Sequence, residues 1–243
     1  SDLWQPYGYI HMLERRATYL SLVHDQYLVD MLTEEDIEAG RLADYQVLYA
    51  TDPNITDKAA GIVEKWVRGG GWLYGACGAG SRNEFDEPVR GLSRVFGIEP
   101  GIEFETQEGP YAFRAGLNGM TYMDEISLQA VDGMPASARF GVLGARIRFE
   151  PRRGEVVGTF ANGAPAAVVN SYGRGRAFTI GGCPGLSYLK DAQFVADALK
   201  EKYPAIQRSA INAWAKASGA LPLVELSTPV VEAGVYDSET GSA

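Results

Sequence analysis

One stretch of about 32 residues constrains this chain more than any other, because it reads as strand, helix and strand in immediate succession. Tyr45-Gln46-Val47-Leu48-Tyr49-Ala50 is a short, mostly apolar run of strand-forming residues that stops at Asp52-Pro53-Asn54. Thr56 or Asp57 then caps a helix with Ala59, Ile62, Val63, Trp66 and Val67 on one face and Lys58, Glu64, Lys65 and Arg68 on the other. Gly69-Gly70-Gly71 ends that helix, and the apolar run Trp72-Leu73-Tyr74-Gly75-Ala76 follows at once. Two strands joined through one helix must run parallel, so the core is expected to be α/β.

The 243 residues, 46% of them apolar, suffice for one large domain or one domain with a small annex. Against 22 Lys+Arg stand 31 Asp+Glu, a formal charge of -9, which opposes phosphate-backbone binding and removes nucleic acid from the expected partners. No apolar run approaches the roughly 18 residues of a membrane span, and the first residues lack the layout of a signal peptide, so a soluble chain is expected. Two cysteines and two histidines are too few for a disulfide framework or a zinc site, and no cofactor motif is present.

Ahead of the crossover, Leu13, Ala17, Leu20, Leu28 and Met31 recur at helical spacing, predicting an amphipathic helix over 13–31 with Glu14, Arg15, Arg16 and Asp25 off the apolar stripe. His24 completes the stripe and reads as a hydrogen-bonded core histidine rather than a base. Beyond Gly97 the texture changes to short runs punctuated by Pro100-Gly101, Gly109-Pro110 and Gly116, which predicts a β-rich insertion over about 101–160. Strands are expected at 146–149, 155–160, 166–170 and 176–180, joined as hairpins through Asn162-Gly163 and Gly173-Arg174-Gly175. Helices at 188–202 and 205–218 would close a domain over 1–223. Residues 224–243 read as the start of a C-terminal β-domain.

The sharpest chemical feature is Gly75-Ala76-Cys77-Gly78-Ala79-Gly80, a thiol in a glycine-rich turn directly after a buried strand. Such an elbow exposes backbone N–H groups for an oxyanion and lowers a thiol pKa beside a helix N-terminus, so Cys77 is the catalytic candidate. The required base is missing from the expected place, since His11 and His24 both lie upstream. Next comes the polar loop Ser81-Arg82-Asn83-Glu84-Phe85-Asp86-Glu87-Pro88, at the carboxyl end of a strand where open α/β sheets place ligands. Arg82, Asn83, Glu84 and Asp86 are therefore the candidate ligand-binding residues, with Glu84 and Asp86 as an acid pair or Arg82 and Glu84 as a mutual ion pair. Gly173-Arg174-Gly175 lacks the Lys-Ser/Thr ending of a phosphate cradle and reads as a hairpin turn. Trp4, Tyr7, Tyr9, Tyr45 and Tyr49 offer aromatic faces for sugar stacking or core packing.

From Asp36 to about Gly97, the segments Leu42-Ala43-Asp44-Tyr45-Gln46-Val47-Leu48-Tyr49 and Trp66-Val67-Arg68-Gly69-Gly70-Gly71-Trp72-Leu73, with the loop through Glu84, resemble the β-galactosidase trimerisation domain. Tyr172-Gly173-Arg174-Gly175-Arg176-Ala177-Phe178-Thr179-Ile180-Gly181 is similar to the last core hairpin of the same class I glutamine-amidotransferase-like superfamily. The resemblance implies a flavodoxin-like parallel sheet flanked by helices, with Cys77 at the nucleophile position. The corresponding late segment, Gly181-Gly182-Cys183-Pro184-Gly185, holds no histidine, so amidotransferase chemistry is not implied. It further implies a non-catalytic accessory domain that follows a β/α-barrel glycosidase domain in a larger polypeptide, builds a homo-oligomer and helps shape a carbohydrate site. The family's first strand would be expected just before Ser1-Asp2-Leu3-Trp4, leaving this sheet short of an edge or inner strand. A cysteine hydrolase or amidotransferase-like enzyme using Cys77, and a stand-alone ligand-binding module, are the alternatives.

Overall fold

The structure, a computed structural model, describes residues 8–107, 117–135, 137–192, 201–228, 231–235, 237–238 and 241–242. The crossover is present as expected. β1 (Val47–Ala50) is followed by α3 (Asp57–Arg68), whose first turn is capped by the Thr56 hydroxyl accepting from Ala59 N, and by β2 (Trp72–Ala76), parallel to β1. β9 (Gly175–Ile180) adds to β2 in parallel.

There the parallel order ends. β8 (Pro165–Tyr172), β7 (Glu155–Phe160), β4 (Asp124–Leu128) and β5 (Arg139–Val142) continue the same sheet antiparallel, giving the order β1-β2-β9-β8-β7-β4-β5. The flavodoxin-like parallel sheet implied by the resemblance is thus corrected to a mixed one with three parallel strands, and the hairpins expected beyond residue 146 belong to the same sheet. The reason is connection length: parallel neighbours need a crossover of roughly a dozen residues, whereas the Asn162-Gly163 and Gly173-Arg174 turns permit only hairpins. From the β-rich stretch over 101–160, β4, β5 and β7 join this sheet, and β3 (Glu103–Thr106) pairs with β6 (Ala145–Arg148) as a separate antiparallel ribbon.

Alternation along β2 assigns the helices to faces. Tyr74 packs against Tyr49 and Phe178, and Phe178 against Trp214 of α6 (Ala205–Ala217). The opposite side of β2 meets Phe96 of α4 (Arg90–Phe96), which a Cβ on Gly75 would approach to 2.5 Å. α1 (Gly8–His24) packs on α6 and on α5 (Pro184–Leu189), while α2 (Glu34–Glu38) packs on α3.

Three helical expectations need correction. α1 stops at His24 because Gln26 turns left-handed (φ 62°), so Leu28 and Met31 fall beyond the helix and stand 81% and 57% exposed. Glu14, placed off the apolar stripe by the sequence pattern, is fully buried. Of the helix expected at 188–202, Tyr188 and Leu189 end α5, 190–192 are not helical, and 193–200 lie outside the described residues. His24 does serve as a bonded, part-buried histidine, Nδ1 2.8 Å from the Tyr188 hydroxyl.

Candidate functional site

The glycine-rich turn after β2 has the backbone of an elbow. Cys77 (φ 56°), Gly78 (φ 77°) and Gly80 (φ 59°) are all left-handed. A Cβ would lie 2.5 Å from Phe104 at Gly78 and 2.3 Å from Leu92 at Gly80, so glycine is needed twice over. The elbow does not present a nucleophile. Cys77 is fully buried and disulfide-bonded to Cys183, with the Cα atoms 5.1 Å apart. Three N–H groups of the turn are engaged within the fold: Cys77 N donates to Gly182 O at 2.9 Å, Ala79 N to Ala76 O at 3.0 Å and Gly80 N to Asp52 O at 2.8 Å. In the structure the candidate Cys77 instead makes a covalent tie between the ends of β2 and β9.

Two α1 side chains that the sequence pattern did not single out for this end of the sheet are brought there. Glu14 Oε1 accepts from Gly185 N (2.9 Å) and the Thr18 hydroxyl (3.2 Å), and Oε2 from Leu186 N (2.9 Å), so it closes the first turn of α5 beside Cys183. Burial pushes its carboxyl up to about 7 against the pull of those three donors, because desolvation of the charge outweighs them. His11 Nδ1 lies 2.9 Å from Thr51 O, just past β1, with its ring edge-on to Phe104. His11 thus sits past the end of the early strand β1. No periodicity marks either residue, and only the pairing of α1 with α5 reveals them.

The loop after the elbow is organised by Asn83. Its Oδ1 accepts from Phe85 N (3.0 Å) and Glu87 N (2.9 Å), its Nδ2 lies 3.3 Å from Asp57 Oδ2, and the residue is 4% exposed. Asn83 thus holds the loop in shape. Glu84 Oε2 accepts Asp57 N (2.9 Å) at the start of α3, where the helix dipole favours a carboxylate. Arg82 Nη1 donates to Asp86 O (2.9 Å) and lies 3.5 Å from Asp86 Oδ2. Neither expected pair forms: Arg82 engages Asp86 rather than Glu84, and Glu84 turns to α3 instead of Asp86. At the tip Phe85 stands 75% exposed, flanked by exposed Glu84 and Asp86.

Of the aromatic candidates, Tyr49 is a core residue whose hydroxyl donates to Ile211 O (2.9 Å) and accepts from Ala215 N (3.0 Å), and Tyr45 donates to Asp30 (2.8 Å). Trp4 and Tyr7 lie outside the described residues, as does the Tyr9 side chain. Among the described residues no three His, Cys, Asp or Glu side chains gather as a metal site, and no helix is long and apolar enough to cross a membrane.

Comparison with solved structures places this arrangement. A β-galactosidase from Bacillus circulans sp. alkalophilus superposes with a TM-score of 0.70 at 18% identity, over 96% of this chain and 30% of the other. The chain shares a fold found within β-galactosidases. The enzyme from Rahnella sp. R3 matches with a TM-score of 0.65 at 16% identity, over 91% of this chain and 29% of its own, and that from Marinomonas ef1 with 0.54 at 14%, over 93% and 27%. This chain therefore spans about a third or less of the length of these three β-galactosidases. No family model and no curated protein matches the sequence.

Proposed function

We propose that this chain is a non-catalytic accessory domain of a larger, β-galactosidase-like glycoside hydrolase, related to the trimerisation domain and, more distantly, to the class I amidotransferase-like superfamily. The observation that carries the reading is the superposition of nearly the whole chain on under a third of a β-galactosidase. Its work is assembly and the shaping of a carbohydrate site supplied mainly by another domain. The Cys77–Cys183 bond supports this, because a disulfide in the elbow leaves no thiolate to attack a substrate.

Loop 78–87 is the part assigned to that task. Asn83 and the Glu84 contact fix its backbone, and Phe85 projects between two acids. An exposed ring on a rigid loop suits either a neighbouring subunit or a sugar face, with Arg82 and Asp86 as hydrogen-bonding groups at its base. The test is Phe85→Ala and Arg82→Ala in the longer polypeptide, read by aryl β-galactoside turnover and by mass in solution. A fall of about tenfold or more in turnover, or loss of the oligomer, is expected; unchanged turnover and unchanged mass in both variants would overturn the assignment.

A further inference from the structure

Two segments far apart in sequence carry the whole net charge of this chain. Residues 26–40 and 217–243, about a sixth of its length, hold nine Asp and Glu and no Lys or Arg, and the remaining residues balance at 22 of each sign. The same two segments carry most of the apolar surface left open. Of the nine large apolar side chains that stand exposed among the described residues, six are Leu28 (81%), Met31, Leu221 (84%), Leu226, Val231 and Val235.

Gln26 joins the two segments into one face. Its backbone carbonyl accepts from Leu223 N (2.8 Å), its Nε2 donates to Val231 O (2.6 Å) and its Oε1 accepts from Ala233 N (3.0 Å). Two residues of chain reach at most about 7 Å, so Leu28, Leu221 and Val235, each two residues from a member of this clamp, lie close around it with Val231. A groove of about 310 Å³ along β1 has Leu28, Met31 and Ala220 in its lining together, beside residues 45–50, which brings the neighbour of Leu221 to the same place.

The acids stand among these side chains. Asp30 adjoins Met31, Glu225 adjoins Leu226 and Glu232 adjoins Val231, and all three are exposed. Arg41 and Lys58 reach in from outside to meet Asp36 and Glu38, whereas Asp30, Glu225 and Glu232 form no ion pair among the described residues.

Contiguous exposed apolar side chains edged by polar ones have the anatomy of an interface, and here the charge decides what fits it. A second copy laid on this face about a two-fold axis would set Asp30, Glu225 and Glu232 against their own counterparts. An uncharged apolar surface would cover the acids without pairing them. A surface with Lys and Arg around apolar side chains meets both demands.

We propose that the face around Gln26 is a docking surface for a basic amphipathic segment of a partner protein, whose apolar side chains cover Leu28 and Leu221 and whose Lys and Arg pair with Asp30, Glu225 and Glu232. It involves no residue of loop 78–87 and holds whether or not the longer protein is a glycosidase.

The test is binding of a fluorescein-labelled helical peptide of Leu and Lys to the 243-residue chain, read by anisotropy. Wild type is expected to bind it about tenfold or more tighter than the double variant Leu28→Ser/Leu221→Ser, with affinity falling as salt rises and none for the same peptide with Glu in place of Lys. Both side chains are more than four-fifths exposed, so the double variant keeps the fold. Ile206→Ser, which removes an exposed apolar side chain at the start of α6, should bind as wild type does. Equal affinity of wild type and the double variant would overturn the proposal, as would an equal loss in Ile206→Ser. Self-association of the wild-type chain that the double variant abolishes, read by mass in solution, would give the face to a second copy and overturn the basic partner.

Discussion

The two halves of the sheet are finished in different ways. The antiparallel half, β8, β7, β4 and β5, is built largely from neighbours in sequence, and the outward backbone of its last strand is met by Ser187 and Gln207. The parallel half, β1, β2 and β9, draws its ties from far away: Cys77 to Cys183 across 106 residues and Glu14 to Gly185 across 171, while its outer strand β1 pairs only with β2 among the described residues. Hairpins close themselves, whereas parallel strands depend on crossovers and distant partners. The lesson is that the half most dependent on remote contacts also carries the elbow and its loop, where function is assigned.

The largest expected effect breaks the longest tie. Replacing Cys77 and Cys183 together by Ala should lower unfolding stability by about 2–4 kcal/mol in denaturant titration, since a long loop is released in the unfolded chain. A loss below about 0.5 kcal/mol would mean that the parallel half is held without it.

Next is Glu14→Gln, which sets an amide NH2 against one of the donors Gly185 N, Leu186 N or Thr18 and should cost about 1–3 kcal/mol. Its pH dependence is specific. The folded carboxyl is raised from 4.5 to about 7, so the native state holds its proton longer than the unfolded chain does. That contribution is full below pH 4.5 and is lost as pH rises through 7, so the advantage of wild type over Glu14→Gln should shrink across this window. His24 works the other way. Burial, helped by Arg208, lowers it from 6.5 to about 4, so stability is lost as pH falls from 6.5 toward 4, and His24→Gln should flatten that limb.

In the antiparallel half the effects should be smaller. Ser187→Ala leaves Gly141 N without its partner at the β5 edge and should cost about 1 kcal/mol, with faster exchange of that amide. Glu125→Ala, which breaks an exposed pair with Arg139, should change stability by less than about 1 kcal/mol. A larger loss there than at Cys77–Cys183 would invert the comparison.

Legibility in the sequence followed the same division. Both core hairpins were readable because Asn162-Gly163 and Gly173-Arg174-Gly175 carry their turn chemistry locally, with Gly163 and Gly173 left-handed as such turns require. The β1-α3-β2 crossover was readable from one cap, one stripe and three glycines. What distant residues decide was not readable. Glu14 looks like a surface acid until the N–H groups of α5 reach it, and Cys77 looks like a nucleophile until Cys183 arrives. The helix end was misplaced because Leu28 and Met31 keep the period of α1 while belonging to the wall of the β1 groove. At the candidate loop the residue types were found, but Asn83 turned out to shape the loop, and Phe85, the most exposed large side chain there, was passed over because an aromatic residue amid charges gives no periodic signal.

The central claim, that this chain supports chemistry without performing it, is tested most directly by assaying the isolated 243-residue chain for hydrolysis of p-nitrophenyl acetate, glutamine and p-nitrophenyl β-galactoside, as purified and after reduction, beside Cys77→Ser. No turnover above the variant is expected in either state. Turnover that appears on reduction and vanishes in Cys77→Ser would contradict the claim and return Cys77 to the role of nucleophile.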